Sequence, residues 1–225
     1  ERVSRTIEGV DVGIVMRRGA GAMAKFALEA TAEILPWYNN YFGTPYPLPK
    51  LDMIAAPGQS SFFGAMENWG AILYFEPLLL VDPARSSQSD RQAVFGVIAH
   101  EVAHQWFGNL VTMHWWDDLW LNEGFASWMS SRITNTLHPE WKPWLQMVAS
   151  SREYVMQLDA GSATHAIVHP IDSIEAVSQA FDPIAYSKGE AVIRMIEEAV
   201  GETAFREGIR SYMRKHAYSN TVTDD

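Results

Sequence analysis

A pair of histidines one helical turn apart, with a glutamate directly after the first, constrains this chain more than any other feature. The pair lies in a predicted helix over residues 91–108. At 100° per residue, His100 and His104 project about 40° apart on one helix face, and Glu101 lies about 60° from His104. Two imidazoles in this arrangement can share one zinc ion, and the carboxylate can reach a water molecule beside it. The spacing therefore predicts a zinc centre on a helix.

The same three positions also arise by chance in a helix that buries two histidines for packing. A second pair in this chain, His165 and His169, provides an internal comparison. No glutamate stands between them, Ile167 and Val168 are β-branched, and Pro170 follows directly, so a helix is disfavoured there. We therefore predict a loop at the second pair and a metal site only at the first.

A zinc enzyme of this kind needs a third protein ligand and an open fourth position. Glu123 follows His104 after eighteen intervening residues. Gly108-Asn109 supplies a turn and residues 115–118 supply a new helix start, so an antiparallel return can bring Glu123 back to the first helix. Taken alone, Glu123 would be read as a solvated helix residue. Together with the histidines, it is the predicted third ligand.

Composition and charge exclude several classes of protein. The 225 residues are 48% hydrophobic and 20% charged, which is typical of a globular domain with a real core. The formal net charge of −10 disfavours nucleic acid and anionic membranes as partners and suits a cationic ligand such as a free amine. With no cysteine, disulfides and thiolate metal ligands are excluded. No apolar run approaches the roughly 18 residues of a membrane span, and the cell compartment stays open.

Apolar spacing predicts an α+β fold in a single domain over residues 1–225, with a small mixed sheet followed by a helical part. No element is predicted in the first twenty residues. The chain begins with Glu1, and Thr221–Asp225 resembles the cap of a helix whose body is missing, so we expect a segment of a longer protein. The predicted helices cover residues 21–42, 91–108, 119–136, 140–157, 185–200 and 202–216, the strand-like runs cover 51–56, Phe62–Trp69 and 71–75, and residues 159–184 are predicted as irregular loop.

Three separate motifs together resemble the aminopeptidase N family of zinc metallopeptidases. The two histidines, Glu101 and the later Glu123 are similar to the family's zinc signature. Gly64–Asn68 reads GAMEN, resembles the family's exopeptidase motif, and places Glu67 33 positions before His100. Tyr186–Gly189 reads YSKG and is similar to the segment that carries the family's catalytic tyrosine. The motifs occur in the family's order and cover about residues 60–190.

The resemblance implies a thermolysin-like catalytic domain in which two helices hold one Zn²⁺ per chain, with His100, His104 and Glu123 as ligands. It implies hydrolysis of the N-terminal peptide bond of peptides that have a free amino terminus. The family also carries an N-terminal β-domain and a C-terminal helical domain, which we expect in the parent protein outside these 225 residues.

The resemblance also implies roles for individual side chains. Glu101 would take a proton from the attacking water and pass it to the leaving amine. Tyr186 would donate a hydrogen bond to the tetrahedral oxyanion. Glu67 would hold the protonated α-amino group at a fixed distance from the metal, which would restrict cleavage to terminal bonds. Gly64 and Ala65 of the same segment are small enough for a substrate backbone to pair with the strand, and Asn68 completes the predicted substrate-binding residues. Met66 and Phe63 would line the pocket for the first side chain, unless they are ordinary core residues.

Residues around the metal helices have less specific predictions. The side chains expected to orient the zinc histidines are Asn109, Asp118 and Asn122, among which spacing does not choose. The tryptophans expected to form the core there are Trp106, Trp115, Trp116 and Trp120.

Three other functions compete with an aminopeptidase. A thermolysin-like endopeptidase would need no anchor for a free amine, and Glu67 in its GAMEN context argues against it. An epoxide-hydrolysing activity is known in one branch of the family. A zinc-binding or peptide-binding segment that is inactive in isolation is the alternative from a different class.

Overall fold

In a computed structural model that describes residues 1–60 and 63–225, the chain divides into two compact units. The first unit, Glu1–Gln105, contains a five-stranded sheet and two long helices, and the second, Trp106–Asp225, is mostly helical. The predicted α+β class, a small mixed sheet followed by a helical part, is confirmed. The single domain stays a prediction. Within the described ranges, every helix is too short or too polar to cross a membrane.

The sheet of the first unit combines parallel and antiparallel strands. Its strands are β1 (Arg2–Ile7), β2 (Val10–Val15), β3 (Lys50–Ala56), β4 (Ala65–Met66) and β5 (Ala71–Phe75). They lie in the order β1-β2-β3-β5-β4, with β2, β3 and β5 parallel and β1 and β4 antiparallel at the two edges. In β3, Leu51, Met53 and Ala55 are buried and alternate with more exposed residues, as expected for a strand with one face on the core.

The first edge of the sheet is a β-hairpin that the sequence analysis missed. Glu8 and Gly9 join β1 to β2 and both have positive φ, 46° and 84°, which suits a two-residue turn between twisted strands. In β1 only Ile7 is buried. A strand this exposed lacks the alternation of apolar and polar residues by which strands are recognised.

Helix α2, Gln88–Ala103, carries the histidine pair. It begins at a capping box, in which Ser87 Oγ accepts the backbone N–H of Asp90 and the Asp90 carboxylate accepts that of Ser87. This box starts the helix before residue 91, where the sequence predicted it. The helix also ends earlier than the predicted residue 108, because the Gln105 N–H donates to Val102 three residues back and tightens the last turn.

Helix α1, Lys25–Phe42, confirms the predicted helix over 21–42, with a 3₁₀ turn in its first four residues. It ends at Gly43, whose left-handed φ of 62° is typical of a helix C-terminus. Fully buried Tyr38 donates from its hydroxyl to the carbonyl oxygen of Ala99 in α2, over 2.8 Å. The contact ties α1 to α2 one residue before the first histidine.

The second edge of the sheet, β4, is much shorter than the predicted run Phe62–Trp69. Of the described residues in that run, Ala65–Met66 forms the strand that pairs with β5, and Phe62 lies outside the described residues. The pairing stops because the chain turns back, with the Ala71 N–H donating to the Asn68 carbonyl over 2.9 Å. The predicted strand at 71–75 is confirmed and the one at 51–56 begins one residue earlier.

The second unit packs three long helices beside a two-stranded parallel sheet. The elements are α3 (Trp120–Leu137), α6 (Gly189–Val200), α7 (Glu202–His216), β6 (Val111–Met113) and β7 (Ser219–Thr221). The predicted helices over 119–136, 185–200 and 202–216 are confirmed to within one residue, except that Ile184–Lys188 before α6 is a wide π-helical turn.

The predicted helix over 140–157 is wrong at its start and interrupted inside. It consists of α4 (Pro143–Met147), a π-helical turn at Val148–Arg152 and α5 (Glu153–Asp159). Lys142 takes a left-handed conformation with φ of 51°, which separates the preceding 3₁₀ turn from α4. The ring of a proline disfavours the right-handed helical conformation for the residue before it. Lys142 therefore stays outside the helix, which begins at Pro143.

The prediction of a helix cap at Thr221–Asp225 is also wrong. Thr221 lies in β7, is buried, and its Oγ1 is 2.7 Å from the Tyr212 hydroxyl. The last residues form a turn in which the Asp225 N–H donates to the Val222 carbonyl. Strand pairing with β6 and the buried hydroxyl outweigh the cap-like composition.

Two glycines set the distance between α3 and α6. A Cβ added at Gly124 would lie 3.1 Å from the Cα and carbonyl carbon of Gly189, and 3.4 Å from the carbonyl oxygen of Ala185. Backbone atoms cannot move aside as a flexible side chain can. The close approach therefore requires glycine and fixes α3 against both α6 and the π-helical turn before it.

We predict that Gly124→Ala lowers the free energy of unfolding by about 1–3 kcal/mol, the usual cost of overpacking. Gly208→Ala is the matched control, because a Cβ there meets nothing within 4 Å on the exposed side of α7. That control should be neutral or stabilise by up to about 1 kcal/mol through helix propensity. Urea denaturation of the two variants measures both effects, and equal stabilities would contradict the packing argument.

Candidate metal centre and catalytic residues

The helix spacing brings the two histidines of the first unit together as predicted. His104 occupies the C-cap of α2 and is 1% exposed, whereas His100 is half-buried in the last turn. Their Nε2 atoms are 3.0 Å apart, and the rings are nearly perpendicular at 83°. Both imidazoles therefore present a nitrogen to the same small space.

The positions of these nitrogens fit a shared zinc ion. Two nitrogens bound at about 2.0–2.1 Å in a tetrahedral arrangement lie about 3.4 Å from each other, close to the 3.0 Å between the two Nε2 atoms. Neutral imidazole offers one N–H and one lone pair. With both Nδ1 atoms protonated, both lone pairs point at one cation, and nitrogen with carboxylate donors suits zinc.

Two carboxylates lie close to His104. A carboxylate oxygen of Glu67, one of Glu101 and a ring nitrogen of His104 all lie within 4.8 Å of one another. Glu101 is 6% exposed and Glu67 is half-buried. Two carboxylates this close repel each other and favour a cation between them. The first unit thus brings the predicted general base and amine anchor to the histidine pair.

The GAMEN segment lies along the edge of the sheet. The carbonyl of Gly64 accepts the N–H of Phe75 over 3.1 Å, and Ala65–Met66 forms β4 at the end of the strand order. Asn68 is exposed, and its carbonyl closes the turn to β5. Phe63 is 41% exposed, so the interpretation of this residue as ordinary core is wrong. An edge strand has its outer side available for an added strand.

Gln105, which no sequence motif marks, connects Glu67 and Glu101 of this cluster. Its side chain is fully buried, and Oε1 accepts the N–H of Gly70 over 3.0 Å. Its Nε2 donates to the carbonyl of Glu67 over 3.2 Å and to that of Glu101 over 3.3 Å. One amide thus binds the backbone of both carboxylate residues. Only its position directly after the second histidine pointed to it.

In the second unit, Glu123 lies in the first turn of α3 and is 2% exposed. A carboxylate buried to this extent requires a cation or hydrogen-bond donors, so the interpretation as a solvated helix residue is wrong. Gly124 beside it lies close to the turn that carries Tyr186, since a Cβ added at Gly124 would be 3.4 Å from the carbonyl oxygen of Ala185. The two predicted residues of this unit are therefore held by neighbouring backbone segments.

Tyr186 lies in the middle of the π-helical turn Ile184–Lys188 and is half-buried. Turns of this kind interrupt helices frequently at functional sites. Tyr186 lines a cavity of about 380 Å³ together with Tyr154, Phe181 and Asp182. The tyrosine therefore borders open space within its unit, as a residue that contacts substrate must.

The second histidine pair lies outside any helix, so the predicted loop is confirmed. The rings of His165 and His169 are 4.4 Å apart between centroids. The Nε2 atom of His165, however, lies 2.6 Å from the Asp182 carboxylate rather than facing its partner histidine.

Comparison with known proteins decides the family. Residues 26–225 match the description Peptidase family M1 domain. This chain belongs to peptidase family M1. It is 45% identical over 220 residues to Aminopeptidase M1 of Arabidopsis thaliana, and the aligned region covers 98% of this chain and 25% of that protein. It is 43% identical over 216 residues to Aminopeptidase 2, mitochondrial, of Saccharomyces cerevisiae, which covers 96% of this chain and 22% of that protein.

A third relative, Probable aminopeptidase 2 of Sulfurisphaera tokodaii, is 42% identical over 225 residues, covering 100% of this chain and 28% of that protein. The chain thus spans about a quarter of the length of the curated relatives it matches. The resemblance that the three motifs indicated is confirmed at the level of the family.

The joint ligation by His100, His104 and Glu123 stays a prediction for this M1 chain, as do the roles of the other site residues. Of the residues expected to orient the histidines, Asp118 uses its Oδ1 to accept both the N–H and the hydroxyl of Thr223. The tryptophan prediction is confirmed for Trp106, which is fully buried, and wrong for Trp115, which is 41% exposed.

We predict that Gln105→Leu in this M1 chain exposes the Gly70 amide to exchange. Leucine of similar size removes the acceptor of a buried N–H, which costs about 1–3 kcal/mol and corresponds to roughly 5–150-fold faster local exchange. Thr31→Val is the control, because it removes another buried hydrogen bond of the same unit, from Thr31 Oγ1 to Ala27. Hydrogen exchange read by NMR or mass spectrometry should show the change at Gly70 only for the first variant. Unchanged protection would contradict the role of Gln105.

Proposed function

We propose that this chain forms the thermolysin-like catalytic domain of a zinc-dependent aminopeptidase, which hydrolyses the N-terminal peptide bond of peptides and works within a longer multidomain protein. The observation that carries the proposal is the cluster of Glu67, Glu101 and His104, whose ligand atoms lie within 4.8 Å of one another. This proximity supports an anchor for a free amine beside a base and a metal ligand. Membership of family M1 and the names of the relatives support the same activity.

The metal ligands in this proposal are His100, His104 and Glu123. The 3.0 Å approach of the two Nε2 atoms supports the histidines, and the burial of Glu123 supports a carboxylate that serves a cation. When bound, zinc would lower the pKa of a water molecule to about 7 and polarise the scissile carbonyl.

The chain's own residues perform the remaining steps. Glu101 accepts a proton from the attacking water and delivers it to the nitrogen of the leaving amine. Its burial supports this role, because little bulk water surrounds the carboxylate. Tyr186 donates its hydroxyl hydrogen to the oxyanion of the tetrahedral carbon, where the negative charge develops.

Specificity for terminal bonds follows from Glu67 and the strand before it. The carboxylate of Glu67 binds the protonated amino group of the first residue. Ala65–Met66, at the edge of the sheet, offers backbone groups to the substrate chain. An amine fixed by Glu67 leaves room for a single residue before the bond that is attacked, so internal bonds are not cleaved.

We predict that Glu101→Gln keeps zinc and loses nearly all turnover. The amide cannot accept the proton, and general-base catalysis contributes roughly 10²–10⁴-fold. Metal analysis should find one zinc per chain in wild type and variant, and an aminoacyl-amide assay should find residual activity of at most about one per cent. Glu29→Gln is the control, because Glu29 is exposed and forms an exposed ion pair with Lys25. Substantial turnover by the Glu101 variant would contradict the base.

We predict that Glu67→Ala raises KM for free-amine substrates by roughly 10–150-fold, the value of a charged hydrogen bond of about 1.5–3 kcal/mol. The control Glu76→Ala, which loses an exposed ion pair with Arg17, should leave KM unchanged. The measurement is steady-state kinetics on peptide pairs with free and acetylated amino termini.

Wild-type protein should cleave only the free-amine peptide of each pair. Equal cleavage of both would contradict the aminopeptidase assignment and favour an endopeptidase. One bound zinc with no turnover of either peptide would favour a binding segment.

A further inference from the structure

A single carboxylate fixes the start of the turn that carries Tyr186. Asp182 Oδ1 accepts the backbone N–H groups of Ile184 and Ala185, each over 3.0 Å. The backbone carbonyl of Asp182 accepts the N–H of Tyr186 over 3.3 Å. A side-chain oxygen that satisfies the first N–H groups of a helical segment acts as an N-cap and fixes the direction in which the segment leaves. The position of Tyr186 therefore depends on where this carboxylate is held.

The second oxygen of the same carboxylate is held by His165, from the irregular segment before it. His165 Nε2 lies 2.6 Å from Asp182 Oδ2, and His165 Nδ1 lies 2.7 Å from the carbonyl oxygen of Ala166. A carboxylate and a backbone carbonyl are acceptors only. Both ring nitrogens must then carry a hydrogen, so His165 is an imidazolium cation in this arrangement.

Charge around His165 supports this protonation state. Partial burial opposes the charged form, but the hydrogen bonds to Ala166 and Asp182 outweigh it, and the pKa of His165 is raised above its usual value. Asp159 adds attraction, whereas Lys188 adds repulsion and is itself paired with Asp159 over 2.8 Å. His169 packs its ring on His165. Among the described residues, these are the titratable groups for which a contact or charge interaction with His165 is seen.

We propose that His165 and Asp182 are positioning residues for Tyr186. The imidazolium fixes the carboxylate, the carboxylate fixes the first N–H groups of the π-helical turn, and the turn presents the tyrosine hydroxyl. The inference rests on the proposed role of Tyr186 as the donor to the oxyanion. It adds two residues to those that the proposed function assigns.

Such a role has a defined kinetic signature. Because the tyrosine acts on charge that develops in the transition state, its displacement lowers kcat and leaves KM nearly unchanged. The pH dependence follows from the sign of the shift. A histidine whose pKa is raised in the folded state contributes its interaction at low pH and loses it as pH rises through the folded pKa. The wild-type kcat should therefore fall on the alkaline side of the usual histidine pKa.

The test is a double-mutant cycle in the zinc-loaded, full-length protein. Tyr186→Phe should lower kcat by roughly 10²–10³-fold. His165→Ala should lower kcat by about tenfold with KM within about twofold, and should add nothing further in the Tyr186→Phe background, since residues that act as a unit are not additive. His165→Arg keeps two donors and a charge that does not titrate. This variant should restore part of the kcat that His165→Ala loses, and its kcat should not fall at alkaline pH as the wild-type kcat does.

The control is His138→Ala, which removes a histidine of the same unit that pairs with Glu140 over 3.5 Å and stacks on Trp141. It should leave kcat and the pH profile unchanged. If His165→Ala fails to fold, the pH profile of kcat for His165→Arg decides on its own whether the positioning role holds.

Two failures are distinguishable. If Tyr186→Phe leaves kcat unchanged, the proposed oxyanion role is wrong. If Tyr186→Phe lowers kcat but His165→Ala does not, or if the His165 effect persists in full in the Tyr186→Phe background, the positioning role is wrong while the oxyanion role stands.

Discussion

The close approach of two imidazole nitrogens at the end of α2 is the constraint on which the first unit depends. Helix geometry places His100 and His104 one turn apart, and their Nε2 atoms come within 3.0 Å. Lone pairs at this distance repel unless a proton or a cation lies between them. The nearby carboxylates of Glu67 and Glu101 further favour a positive charge at this position. Tyr74 adds no charge, because burial and the negative charge of Glu101 raise its pKa well above the usual value. The donor groups of this unit therefore favour a cation at this position.

Side chains that hold this arrangement bind backbone groups rather than the reactive groups themselves. Tyr38 binds the carbonyl of Ala99, and Gln105 binds the backbone of Glu67, Gly70 and Glu101. Gln105 thus positions both residues through their backbone carbonyls, and its amide makes these contacts away from the carboxylates. The positioning of a reactive group is thus separated from its chemistry.

How much the sequence predicts depends on the range of each interaction. The histidine pair and the helix that carries it depend on neighbours within one turn, and both were predicted. Gln105 was missed because its partner Gly70 is 35 residues away and nothing local marks the contact. The hairpin of β1 and β2 was missed because β1 exposes nearly all its residues. Phe62–Trp69 was predicted too long because apolar composition does not reveal where the chain turns back to β5.

Two independent contacts fix the turn that carries Tyr186. The glycine pair sets its distance from α3, since a Cβ added at Gly124 would lie only 3.1 Å from backbone atoms of Gly189. The Asp182 carboxylate sets its direction through two N–H groups, and the charge of His165 holds that carboxylate. Packing resists translation, whereas directional hydrogen bonds resist rotation. A donor that stabilises developing charge must be in place beforehand, because any reorganisation during the reaction subtracts from its effect. A turn held in both ways meets that requirement.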